Sequence, residues 1–279
     1  MSTTDTTPSP IPATGFRARV LAREPLFGTF LFMGSMGAAE IAARSGLDWV
    51  LVDQEHGAGT EADLLPQLAA IQGAAAIPGS APDQSRAAAL VRVEQATRLR
   101  IGRALDLGAE GIMVPQVNDA ATAREVVSWL RYPPVGVRGV ALGVRGNAYG
   151  AGGHPAVDRH NERVTCIVQV ETGAAVDAAD QMAAIDGVDC LFVGPTDLSH
   201  ALGVRGDIAH PTFRAAIETV AQAAARHGKA AGVMLWSPAD ASPYADLGYS
   251  VFSLSNDGSV LAGALKGLLQ SGREAISSR

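Results

Sequence analysis

Residues 166–197 read CIVQVETGAAVDAADQMAAIDGVDCLFVGPTD. Two short apolar runs, Cys166–Val170 and Cys190–Val193, are too brief for core helices and rich enough in Val and Ile to predict strands. The Ala-rich stretch between them predicts helix. It ends at Gly187, the residue type that most readily takes a left-handed cap. Strands that are apolar at nearly every position belong to a parallel sheet covered on both faces.

The same alternation extends outward in both directions. Further strands are predicted at Thr29–Met33, Trp49–Asp53, Leu90–Val93, Gly111–Val114, Gly232–Leu235 and Ser250–Leu254. Ala120–Leu130 and Thr212–His227 carry apolar residues at a spacing near 3.6, and Gly46, Gly108, Gly228 and Gly248 stand shortly before strands. Eight such units in a chain of 279 residues predict an α/β fold of the TIM (β/α)8 barrel type. A doubly wound open sheet is the rival, weakened because no G-x-G-x-x-G follows the first strand.

Residues 1–15, rich in Thr, Ser and Pro, are expected to form a disordered tail, and 16–279 a single barrel domain. Gly73–Ala89 and Arg131–Val164 are too long for ordinary connections, which points to lids or subunit contacts. The chain is 47% apolar with net charge −6, so it carries no footprint for nucleic acid or an anionic membrane. Cys166 and Cys190 lie in apolar runs and read as small buried hydrophobes. A disulfide framework is therefore not expected, which fits a cytoplasmic protein.

A (β/α)8 barrel keeps its chemistry at the C-terminal ends of its strands. The second strand ends in V-D-Q-E-H, giving Asp53, Glu55 and His56. The third carries Arg92, the fifth ends in Gln169 and Glu171, and the sixth runs into Gly194, Thr196 and Asp197. Glu171 and Asp197 come from adjacent strands. Alone, each reads equally well as a helix cap; as a pair they suit one hard cation, Mg²⁺ or Mn²⁺, with Co²⁺ able to substitute. Beside such a cation His56 reads as a general base. Arg92 stands in an apolar run and requires a partner, either a structural carboxylate or an anionic substrate. The backbone N–H groups of Gly194 and Thr196 offer a carboxylate cradle.

The runs D-W-V-L-V-D-Q-E-H, G-I-M-V-P-Q-V, R-Y-P-P-V-G-V-R-G, V-Q-V-E-T and V-G-P-T-D-L-S resemble the HpcH/HpaI aldolase family, over roughly Gly28 to Leu268. The resemblance implies a metal-dependent class II pyruvate aldolase. Such an enzyme reversibly cleaves 4-hydroxy-2-oxo acids to pyruvate, or a similar 2-oxo acid, and an aldehyde, through a metal-stabilised enolate. It implies Glu171 and Asp197 as metal ligands, Arg92 as binder of the oxo acid and its enolate, His56 as base and Gln169 as a pocket residue. It implies a homo-oligomer, commonly a hexamer of paired subunits, with the last helix exchanged between them. Asp106 would then reach a neighbouring subunit's histidine. Phe30 departs from the tryptophan common on the first strand, and Trp236 from the smaller residues usual after the seventh. Together they predict an apolar acceptor pocket for short or moderately apolar aldehydes, with Arg145 of the long loop as its cation. The lysines, Lys229 and Lys266, fall in helix or helix-end contexts, which disfavours a Schiff base. The alternative is an acyl-CoA condensing enzyme or CoA-ester lyase on the same barrel, although no basic cluster for the CoA phosphates is visible.

Overall fold

The computed structural model describes residues 15–76 and 86–277. Helix α1 (Phe16–Leu21) precedes eight parallel strands that close into a barrel in chain order. β1 (Leu26–Leu31) is followed by α2 (Met36–Arg44), β2 (Trp49–Asp53) by α3 (Glu61–Gly73), and β3 (Ala88–Arg92) by α4 (Arg98–Asp106). β4 (Gly111–Val114) leads to α5 (Ala120–Leu130) and then α6 (Pro155–Arg163). β5 (Thr165–Val170) leads to the two short helices α7 (Gly173–Asp177) and α8 (Ala179–Ala183). β6 (Cys190–Val193) is followed by α9 (Pro195–Ala201) and α10 (Pro211–Arg226), β7 (Ala230–Met234) by α11 (Ala241–Asp246), and β8 (Tyr249–Asn256) by α12 (Asp257–Ser277).

The predicted tail lies, except for Gly15, outside the described residues, as do residues 77–85 of the first long loop. Each predicted strand is found, with ends moved by a few residues. β1 ends at Leu31 rather than Met33 because the Phe32 and Met33 N–H groups donate to the Asp257 carboxylate, at 2.7 and 3.2 Å. Gly46, Gly108, Gly187, Gly228 and Gly248 all have positive φ, the cap conformation that removes the Cβ penalty.

Alternation along the strands separates two apolar regions. One side of each strand packs under the helices; the other faces the barrel axis, where Leu26, Phe30, Trp49, Leu51, Leu90, Met113, Ile167 and Phe192 fill the interior. Glycine makes room for the large rings, since a Cβ on Gly28 would stand 2.1 Å from Trp49 and one on Gly232 2.5 Å from Phe192. α1 closes the floor: Val20 joins the interior cluster, and Arg17 Nε donates to both carboxylate oxygens of Asp189, at 3.1 and 3.0 Å.

The segment 131–164 was expected to be irregular, but its last third is helical, as α6. It leaves the end of α5 and enters β5 from below, so within one subunit it covers the N-terminal face of the barrel. Within it Asn147 Nδ2 donates to the Tyr132 hydroxyl at 2.8 Å, and Arg145 Nη1 ties it to the Leu107 carbonyl at 2.9 Å. α12 differs from every other long helix: none of its residues is buried, and Val260, Leu261, Leu265, Leu268 and Leu269 are exposed along it.

Candidate active site

The inward file of β2, β3 and β5 changes from apolar to polar at its last position. Below are Leu51, Leu90 and Ile167; above them stand Asp53, Arg92 and Gln169, all buried. Asp53 pairs with Arg92 in strand register, and its carboxylate accepts from Arg92 Nε at 2.9 Å and Nη2 at 2.6 Å. Glu55 Oε2 lies 3.0 Å from Nη1, and the Phe30 ring centroid is 5.1 Å from the guanidinium carbon. A buried guanidinium is tolerable only when paired in this way. Of the two partners open to Arg92, the structural carboxylate is present.

The V-D-Q-E-H run by itself assigns no role to Asp53 or Glu55. The signal was available: an arginine at the end of β3 needs a carboxylate, and Asp53 is its neighbour at the end of β2. Gln116 was missed altogether. It has φ +53, unusual for a residue other than glycine, and this conformation aims its N–H at Glu171 Oε1, 2.7 Å away.

Glu171 is buried one residue beyond β5, and Asp197 is exposed in the first turn of α9. Burial pushes the Glu171 carboxyl above its ordinary range, the Gln116 N–H pulls it back, and the charges of Glu55 and Asp197 raise it further. Glu55 is raised as well, first by burial, against the pull of Arg92 and His56. Glu55, Glu171 and Asp197 thus crowd one rim, and among the described residues Arg92 pairs with Glu55 alone of the three. Gly194 keeps the space beside them clear, since a Cβ there would lie 3.4 Å from Glu171 Oε2 and 3.1 Å from Gln169 Nε2. Such an arrangement fits a hard divalent cation that relieves the repulsion. Among the described residues no three His, Cys, Asp or Glu side chains form a group that could hold a metal ion; a site on Glu171 and Asp197 would draw its remaining ligands from water and substrate.

His56 points outward at the same rim, 60% exposed, with Nε2 3.8 Å from Glu55 Oε2. Trp236 lies two residues beyond β7, half-exposed, with its ring 3.1 Å from where a Cβ on Gly206 would stand. Phe30, expected at the rim, is fully buried and forms the floor under Arg92. The Gly194 N–H is taken by the Val170 carbonyl at 3.2 Å, which leaves the expected cradle to the exposed Thr196.

Two residues are not brought to this rim within one chain. Asp106 ends α4, on the N-terminal side of the barrel, where it accepts from Arg138 Nη2 at 2.6 Å. Arg145 is held on that side too, by Gln72 and Leu107. Lys229 sits before β7 and Lys266 in α12, away from the strand ends. Both cysteines are free and buried; burial pushes the Cys166 thiol up to about 12 and also raises Cys190.

Fold and site define a parallel (β/α)8 enzyme scaffold with a carboxylate-rich, arginine-anchored centre at the C-terminal strand ends. The chain belongs to the HpcH/HpaI aldolase/citrate lyase family, whose model matches residues 26–264. It is 33% identical over 253 residues to the 5-keto-4-deoxy-D-glucarate aldolase of Shigella boydii, covering 91% of this chain and 94% of that one. With the hydroxypyruvate/pyruvate aldolase of Delftia acidovorans it shares 37% identity over 251 residues, 90% of this chain and 89% of the other. The crystal structure of an HpcH/HpaI aldolase/citrate lyase family protein from Burkholderia cenocepacia superposes with TM-score 0.84 at 37% identity, covering 92% and 98% of the two chains.

Proposed function

We propose that this protein is a carbon–carbon lyase, a metal-dependent aldolase that cleaves 4-hydroxy-2-oxo acids to pyruvate or a similar 2-oxo acid and an aldehyde. The observation that carries the reading is Arg92, locked by Asp53 in the top layer of the barrel beside Glu171 and Asp197. The relatives named for pyruvate and for a deoxy keto sugar acid support the substrate class.

Glu171 and Asp197 would hold the divalent cation, Mg²⁺ or Mn²⁺, or Co²⁺ in substitution. When bound, it supplies Lewis acidity to the keto oxygen of the oxo acid. Arg92 binds the oxo acid and presents positive charge where its oxygen becomes negative. His56 takes the proton of the 4-hydroxyl as the bond between carbons 3 and 4 breaks and the aldehyde leaves. The bond electrons pass to the keto oxygen, and a proton delivered to carbon 3 completes pyruvate. Gln169 turns Oε1 toward Arg92, 3.5 Å from Nη1, which leaves Nε2 facing the substrate space near Gly194. Trp236 walls the acceptor side and suits short or moderately apolar aldehydes.

The exposed leucines of α12 support a homo-oligomer, a hexamer, in which this helix packs on a neighbouring subunit and Asp106 approaches the neighbour's His56. No described helix is long and apolar enough to cross a membrane, and the setting we infer is cytoplasmic. The test is pyruvate release from a panel of 4-hydroxy-2-oxo acids, with metal added or chelated and with CoA thioesters as a control arm. Release that needs metal and ignores CoA is expected; turnover only with a CoA thioester refutes the reading.

A further inference from the structure

Glu55 stands between the two groups to which the proposed reaction gives separate tasks. Its Oε2 lies 3.0 Å from Arg92 Nη1 and 3.8 Å from His56 Nε2, yet this buried oxygen accepts an aligned hydrogen bond from neither. Asp53 shows the contrast, with two aligned bonds to Nε and Nη2 of the same guanidinium. One edge of Arg92 is therefore locked. The Nη1 edge is held by an unaligned carboxylate and by Gln169 Oε1 at 3.5 Å. The backbone under Glu55 is tied, because its N–H donates to Asp53 Oδ1 at 3.0 Å. The side chain is the part left free to move.

Nη1 is the edge an incoming carboxylate or enolate oxygen must use, since Asp53 fills the other. Two anions on one nitrogen repel each other strongly in a partly desolvated site. The arriving anion therefore displaces Glu55, and the exposed His56 ring, 3.8 Å from Oε2, is the neighbour it can turn to as a hydrogen-bond partner. We propose that Glu55 is a positioning residue with two working places: against Arg92 while the oxo-acid subsite is empty, and against His56 once an anion holds Nη1. This rests on the reading above, in which Arg92 binds the oxo acid. Filling one subsite thereby orients the base at the other, with no bond made or broken by Glu55 itself.

The test uses the Mg²⁺-saturated protein, with oxalate, a planar dianion shaped like enolised pyruvate, as the binding probe. Glu55→Gln removes the competing charge without shortening the side chain. It should bind oxalate about threefold or more tightly and lower the KM for pyruvate in methyl-proton exchange to a similar degree. The same variant should lose about tenfold in exchange kcat, because His56 has lost its partner. A residue needed only for structure would not lower KM and kcat together. In the wild type, NMR of labelled histidine should show the His56 ring resonances moving when oxalate is added, and Glu55→Gln should lose most of that change. Weaker oxalate binding, an unchanged kcat, or an equal histidine shift in both proteins overturns the proposal. Arg92→Ala separates the two failures. If oxalate affinity survives that substitution, the reading of Arg92 falls and the proposal with it; if affinity drops while Glu55→Gln behaves as wild type, the proposal alone falls.

Discussion

At the scale of single residues, the site is a set of charges that burial makes expensive and pairing makes usable. Glu171 and Glu55 carry carboxyls raised by desolvation, so a divalent cation gains by binding where the carboxylates repel one another. Glu171→Ala or Asp197→Ala should abolish tight Mn²⁺ binding in calorimetry and remove chelator-sensitive activity; full activity of either variant in chelator would rule out the metal assignment. His56→Ala should lower kcat by about 10² to 10⁴ while pyruvate affinity stays close to wild type. Arg92→Ala should cost about 2–5 kcal/mol in oxo-acid binding. It also strips Asp53 and Glu55 of their cation, so its thermal midpoint should fall as well, whereas that of His56→Ala, an exposed side chain, should hold. Scanning calorimetry of the pair distinguishes a binding residue that also supports the rim from one that serves chemistry alone.

At the scale of elements, α6 and the segment before it form a second polar network on the opposite face of the barrel. His160 packs edge-on against Tyr132 with centroids 5.4 Å apart, and its Nε2 contacts Arg138, which in turn holds Asp106. Burial, reinforced by Arg138 and Arg131, lowers the imidazole pKa to about 3. An unfolded histidine titrates near 6.5, so between these values the unfolded chain binds a proton that the native chain refuses. Stability should therefore fall on acidification below about 6.5, by roughly 1.4 kcal/mol per pH unit. His160→Gln keeps an acceptor for Arg138 and removes the titration. The drop in thermal midpoint from pH 7 to pH 5 should shrink in that variant, and an unchanged drop would show that other groups control the acid limb.

At the scale of the whole molecule, one subunit leaves two things unfinished. α12 carries a row of leucines with nothing buried on it, and His56 stands open at the rim while Asp106 is held at the opposite face. Both are completed if subunits pack so that the floor of one barrel approaches the rim of another. Light scattering should report an oligomer of hexamer size. Leu265→Glu combined with Leu268→Glu should shift it to smaller species with a parallel loss of activity. A fully active monomer would show that one chain suffices.

Much of this protein was legible in its sequence, because the deciding signals are local. Apolar runs of four to six residues, five of the eight preceded by a glycine in the left-handed cap conformation, predict β/α units whatever their neighbours do. Their number and order leave little choice but a closed parallel barrel, and the barrel then dictates which end of each strand bears chemistry. That Glu171, Asp197, Arg92, His56 and Gln169 lie at the C-terminal strand ends was readable on those grounds. What the tertiary structure decided depends on which residues meet across strands and on depth. Asp53 emerges as the clamp on Arg92, Glu55 as the carboxylate between base and arginine, and Gln116 as a strained donor to Glu171, since these roles exist only once β2, β3, β4 and β5 lie side by side. Phe30 belongs to the floor rather than the rim because its position along β1 counts inward and downward from the strand end, a depth no linear pattern records. Arg145 and Asp106 sit on the opposite face for the same reason: Asp106 closes, and Arg145 follows, a helix that returns the chain to the N-terminal ends of the strands, so nearness in motif does not become nearness in space.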